Sequence, residues 1–104
     1  MNTAYWFNVD TLKTYVKENS QPGFSFSSDE LRYGIVMFNK YFCVFVNSET
    51  NEYDVTVDAW DINDASFSNC LDWESYQTPE EALKTLREKV SEYQYKALNM
   101  KPKC

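Results

Sequence analysis

RYGIVMFNKYFCVFVNSETNEYDVTVDAW, residues 32–60, decides the fold. Its first half is crowded with β-branched and aromatic residues, which favour extended backbone packed on a pleated surface. Asn39-Lys40 separates RYGIVMF from YFCVFV and reads as a two-residue hairpin turn. After the polar connection NSETNE the pattern alternates. Tyr53, Val55, Val57 and Ala59 fall on one face, and Asp54, Thr56, Asp58 and Trp60 on the other. This reads as a third antiparallel strand with its odd-numbered face toward a core. FSNCLDW alternates again and predicts a short fourth strand over residues 67–73, with INDASFSN as a loop before it.

Helical patterns lie on either side. Asp10 reads as an N-cap, followed at helical spacing by Leu12, Tyr15 and Val16; Asn19, Pro22 and Gly23 then stop the helix. In SSDEL, Ser27 and Glu30 stand in capping-box register and predict a short capped turn. The C-terminal element is the plainest. Thr78 is placed to cap, Pro79 to occupy the first helical position, and Glu80 and Glu81 to face the positive end of the dipole. Leu83, Leu86, Val90, Tyr93 and Ala97 form its apolar stripe. The expected architecture is α+β: a two-layer sandwich in which an N-terminal helix and a long C-terminal helix pack on a three- to four-stranded antiparallel sheet. Length fits one domain, residues 1–104, able to bury a core without staples.

Composition excludes much chemistry. With no histidine, the usual general base and the Ser-His and Cys-His nucleophile pairs are gone. Two glycines leave no room for a phosphate loop or a dinucleotide fingerprint. Cys43, inside YFCVF, reads as a buried, inert thiol, and Cys70 as a loop thiol dulled by surrounding acids. Asp61 to Asp72 has the outline of an EF-hand loop. However, Ala65 replaces a ligand, Ser66 replaces the turn glycine, and the last acid is Asp. The expectation is a protein that is not an enzyme, with no metal and no cofactor. Three irregularly spaced cysteines argue against a disulfide framework. MNTAYWFNVD lacks the basic and apolar regions of a signal peptide, so a reducing, cytoplasmic location is expected.

Charge is the functional clue. The net charge is −6, but residues 41–83 contain ten acids and neither Lys nor Arg, whereas residues 84–104 carry six bases against two acids. Direct contact with nucleic acid or an anionic membrane through the middle segment is disfavoured. One reading is the wet face of an edge strand, where charge prevents aggregation. A second starts from the aromatics among the acids, Tyr53, Trp60, Phe67, Trp73 and Tyr76. Acids would steer a basic-grooved partner, and aromatics would anchor it. Asp54 and Asp58 would stand roughly 13 Å apart at about 3.3 Å per residue, so carboxylates could follow part of a phosphate track. The predicted partner-binding set is Glu49, Glu52, Asp54, Asp58, Trp60, Asp61, Asp64, Asp72 and Glu74, with Trp60 as anchor.

Size, acidity and element order are similar to those of some phage-encoded anti-CRISPR proteins. That resemblance implies an acidic surface occupying a nuclease's DNA site. YQTPEEALKTLREKVSEY, following a strand, resembles the strand-to-helix joint of HicB-type antitoxins over residues 53–93, with Gln77 where that family has glycine. The function expected is a small acidic inhibitor or decoy, acting on a protein with a basic groove such as a nuclease. The alternatives are an antitoxin or immunity-type protein, or a homo-oligomeric assembly module using the apolar strand 41–46. A monomer or homodimer fits these readings.

Overall fold

A computed structural model describes residues 3–99. The elements are α1 (Thr3–Glu18), β1 (Ser25–Ser27), β2 (Arg32–Met37), β3 (Lys40–Val46), β4 (Tyr53–Asp61), β5 (Ser66–Tyr76) and α2 (Pro79–Asn99). The five strands form one antiparallel meander in the order β1-β2-β3-β4-β5. The α+β expectation holds; the strand number is corrected from three or four to five. The addition is β1, which pairs Ser25–Ser27 with Arg32–Gly34. It falls where turn residues dominate the local pattern. The capped turn is also present, as Glu30 N–H donates to Ser27 Oγ at 3.3 Å.

Three boundaries differ from the sequence reading. α1 begins at Thr3, so Asp10 is an exposed residue in mid-helix and caps nothing. Val9, Leu12 and Val16 continue one buried stripe through it, and tertiary packing sets the helix start. The β2–β3 turn is Phe38-Asn39, one residue earlier than expected. Both residues have positive φ, 56° and 58°, the backbone a tight hairpin requires. Lys40 pairs in the ladder opposite Met37 and Ala59. β5 runs the length of Ser66–Tyr76, so Cys70 lies on a strand and not in a loop. α2 starts as its sequence predicts, with Glu81 N–H donating to Thr78 Oγ1 at 3.3 Å.

Both helices cover one face of the sheet. Val9, Leu12 and Val16 of α1 and Ala82, Leu83 and Leu86 of α2 share a core with Tyr33, Phe42, Val44, Val46, Tyr53, Val55 and Val57. Fully burying a side chain such as Leu86 contributes about 2 kcal/mol. Phe42, Val44 and Val46 are thus consumed by the protein's own core. β4 lies between β3 and β5 and is not an edge strand; the edges are β1 and β5. Among the described residues, no helix covers the opposite face of the sheet.

Candidate binding face

Strand register builds the helix-free face in rows. Arg32, Phe45, Asp54 and Ser75 are cross-strand neighbours, as are Gly34, Cys43, Thr56 and Trp73, and then Val36, Tyr41, Asp58 and Cys70. The centre of this face is largely buried. Cys43, Asp54, Thr56 and Asp58 are buried although no helix lies over them. Aromatic side chains supply the cover. Phe45 and Trp73 meet edge to face at 6.4 Å, and Tyr41 and Trp60 lie 5.8 Å apart. The Arg32 guanidinium sits 4.6 Å over the Phe45 ring and reaches Cys43 Sγ at 3.5 Å.

Asp54 is 1% exposed. Its Oδ2 accepts from Asn47 Nδ2 at 3.0 Å and Trp73 Nε1 at 2.9 Å, and its Oδ1 from Ser75 Oγ at 2.7 Å. These three donors make it a structural carboxylate, which corrects its expected place among outward charges. Asp58 is 8% exposed. Burial pushes its carboxyl up from the ordinary 3.8, against the lowering effects of Arg32 and of a Thr56 hydrogen bond. Burial likewise raises the Cys43 thiol, which shares a 3.1 Å hydrogen bond with Thr56 Oγ1. Cys70 is exposed; desolvation raises its thiol, and the nearby charge of Asp58 adds to the rise. Tyr41 is pushed up to about 12, mainly by burial.

Two depressions open on this face. A cleft of about 170 Å³ is lined by Arg32, Phe45, Thr56, Asp58, Cys70 and Trp73. A groove of about 400 Å³ shares Arg32, Phe45 and Trp73 with it and runs past Glu30 and Glu49 to Tyr5 of α1 at the edge of the face. Trp73, 56% exposed, stands between the two.

The predicted partner-binding residues do not form one row. Asp54, Asp58 and Trp60 lie on the helix-free face, the carboxylates buried and Trp60 half-buried. Glu49 is exposed in the β3–β4 turn, where its N–H donates to Asn47 Oδ1 at 2.9 Å. Glu52 follows it and accepts from Gln77 Nε2 at 2.7 Å. Asp61 and Asp64 are exposed at the other end of β4, where Asp61 Oδ1 accepts the N–H groups of Asn63 and Asp64. Asp72 and Glu74 pair opposite Val57 and Val55, which puts them on the helix-covered side. There Lys89 Nζ approaches Asp72 at 2.7 Å and Glu74 at 3.9 Å. Asp61 and Asp72 are separated along the β4–β5 hairpin, which replaces the loop their EF-hand-like spacing outlines. Among the described residues, no group of three or more His, Cys, Asp or Glu side chains is placed to hold a metal ion.

Arg32, Phe45 and Glu30 are the residues of this face that sequence reading missed. Arg32 balances a nearby acid in the sequence, and only the β2–β3 register brings it over Phe45. No helix among the described residues is long and apolar enough to cross a membrane. Comparison with protein-family models, curated proteins and solved structures found no match to this chain.

Proposed function

We propose that the protein is a non-catalytic inhibitor or decoy that docks its helix-free face on the basic, nucleic-acid-binding surface of a partner protein such as a nuclease. One observation carries this reading. The face presents the exposed Trp73 ring, and acidic turns stand at both ends of β4. Glu49 lies at one end and Asp61 and Asp64 at the other, and none of the three forms an ion pair among the described residues. Trp73 Nε1 is bonded to Asp54, which holds the ring in one orientation before any partner arrives. The acids would orient the encounter, and the ring would bury against the partner.

The test follows from where the acids lie. Glu49, Asp61 and Asp64 can be reversed to Lys without entering the core, whereas reversing Asp54 or Asp58 would disturb folding. Wild-type and triple-reversed proteins are immobilised and challenged with lysate of the source cells, then eluted with salt and, separately, with double-stranded DNA. The expected result is a nucleic-acid-binding protein retained by wild type only and released by both eluents. A retained protein that DNA does not displace, or that the triple variant holds equally, overturns the reading.

A further inference from the structure

We propose that a cleft between α1 and β1 is a binding site for an alkyl carboxylate, with the chain along Val16, Phe24, Phe26 and Tyr33 and the carboxylate at Lys13 and Lys17. The site lies on the helix-covered side of the sheet and does not depend on the decoy reading. It starts from how α1 sorts its side chains. Positions 13, 17 and 20 fall on one flank of the buried stripe Val9, Leu12 and Val16, and positions 7, 11, 14 and 18 on the other. Lys13, Lys17 and Ser20 therefore line the cleft toward β1. The two acids of α1, Asp10 and Glu18, line a separate depression with Phe7 and Tyr15. Among the described residues, no carboxylate lines the α1–β1 cleft, and neither lysine forms an ion pair. The Lys13 ammonium stands 5.9 Å from the centre of the Phe26 ring, so it reaches from α1 toward β1.

The lining selects the occupant. Val16 and Tyr33 are buried, and Phe24 and Phe26 are half-buried beside them, so the walls are apolar. The Tyr33 hydroxyl accepts the Gln21 N–H at 3.3 Å and is already engaged. The polar groups offered to a ligand are then the two ammoniums and the hydroxyls of Ser20 and Ser25. A wholly apolar ligand would leave both cations unpaired, and an anion without a chain would leave the apolar walls wet. A molecule with a chain at one end and an anion at the other meets both. Phe24 and Tyr33 stack on each other at 5.5 Å, which favours a flexible chain along their edges over a further planar ring. The cleft volume is about 290 Å³. At about 30 Å³ per water-sized group, it holds roughly ten heavy atoms, the size of octanoate. A peptide segment of several residues would not fit.

The test titrates octanoate into the full ¹⁵N-labelled chain and follows amide shifts by NMR. 1-Octanol is the uncharged control, and acetate is the chainless one. Octanoate should move the amides of residues 16–20, 24–26 and 33, and should bind about tenfold more tightly than octanol. Acetate at the same concentration should leave those amides in place. Lys13→Met/Lys17→Met keeps two long apolar stems and removes both charges. It should weaken octanoate about tenfold and leave octanol unchanged. Lys84→Met, at an exposed position of α2, should bind octanoate as wild type does. The proposal is overturned by shifts centred elsewhere on the molecule, by octanol binding as tightly as octanoate, or by acetate reproducing the shifts. A double variant that holds octanoate as wild type does, or a Lys84→Met that loses as much as the double variant, also overturns it. Lys13 and Lys17 are exposed, so their substitution leaves the core intact. If the double variant does not fold, the shift map and the octanol comparison on the wild-type chain decide.

Discussion

Asp54 and Asp58 occupy the same face of β4 and differ in what surrounds them. Asp54 is satisfied by Asn47, Trp73 and Ser75, so removing it strands three donors. Asp54→Ala should cost about 3 kcal/mol, read from the shift in urea midpoint. Asp58 is buried with weaker compensation, and its carboxyl titrates above the ordinary 3.8. The folded state therefore favours the protonated form. That contribution to stability is present in full below 3.8 and is lost as pH rises through the raised value. Asp58→Asn mimics the protonated group. It should be more stable than wild type at neutral pH, and the difference should shrink on acidification toward pH 3.8. Denaturation across that range checks this, and a difference that widens in acid contradicts it. Alternation in the sequence showed which way both carboxylates point. Their burial was not legible, because the cover comes from Phe45, Trp73, Tyr41 and Trp60 on three strands.

At the scale of elements, signals confined to a few neighbouring residues are legible in the sequence. Thr78 and Pro79 mark the start of α2, and Thr78→Ala should cost about 1 kcal/mol in a thermal or urea melt. The β2–β3 hairpin is legible as a hairpin, but its turn is Phe38-Asn39, one residue before the Asn39-Lys40 pair that the sequence suggests. Asn39 tolerates positive φ, but Phe38 beside it must adopt φ 56° with a bulky side chain. Phe38→Asn should relieve that strain and stabilise the hairpin by about 1 kcal/mol. An unchanged or lowered denaturation midpoint would show that the Phe38 ring contributes more than its backbone costs. β1 and the first two turns of α1 were not legible for a common reason. Neither has a decisive local signal, and both are held by what they pack or pair against.

At the scale of the whole molecule, folding redistributes the charge of the middle segment. α2 brings Lys89 back to Asp72 and Glu74, which the sequence places with no neighbouring base. Lys89→Met should lose about 1 kcal/mol at low salt and less at high salt, measured by denaturation at two ionic strengths. Equal losses at both would assign the effect of Lys89 to packing. Glu49, Asp61 and Asp64, near the two ends of β4, are among the acids that form no ion pair among the described residues.

By itself the sequence determined the class of fold, because hydrophobic periodicity and capping act over a few residues. It also determined that phosphate loops and histidine chemistry are absent. Only the tertiary structure decided which carboxylates face water. A strand directs every second side chain to one face, but burial depends on side chains from neighbouring strands, and neutralisation depends on a helix docking many residues away.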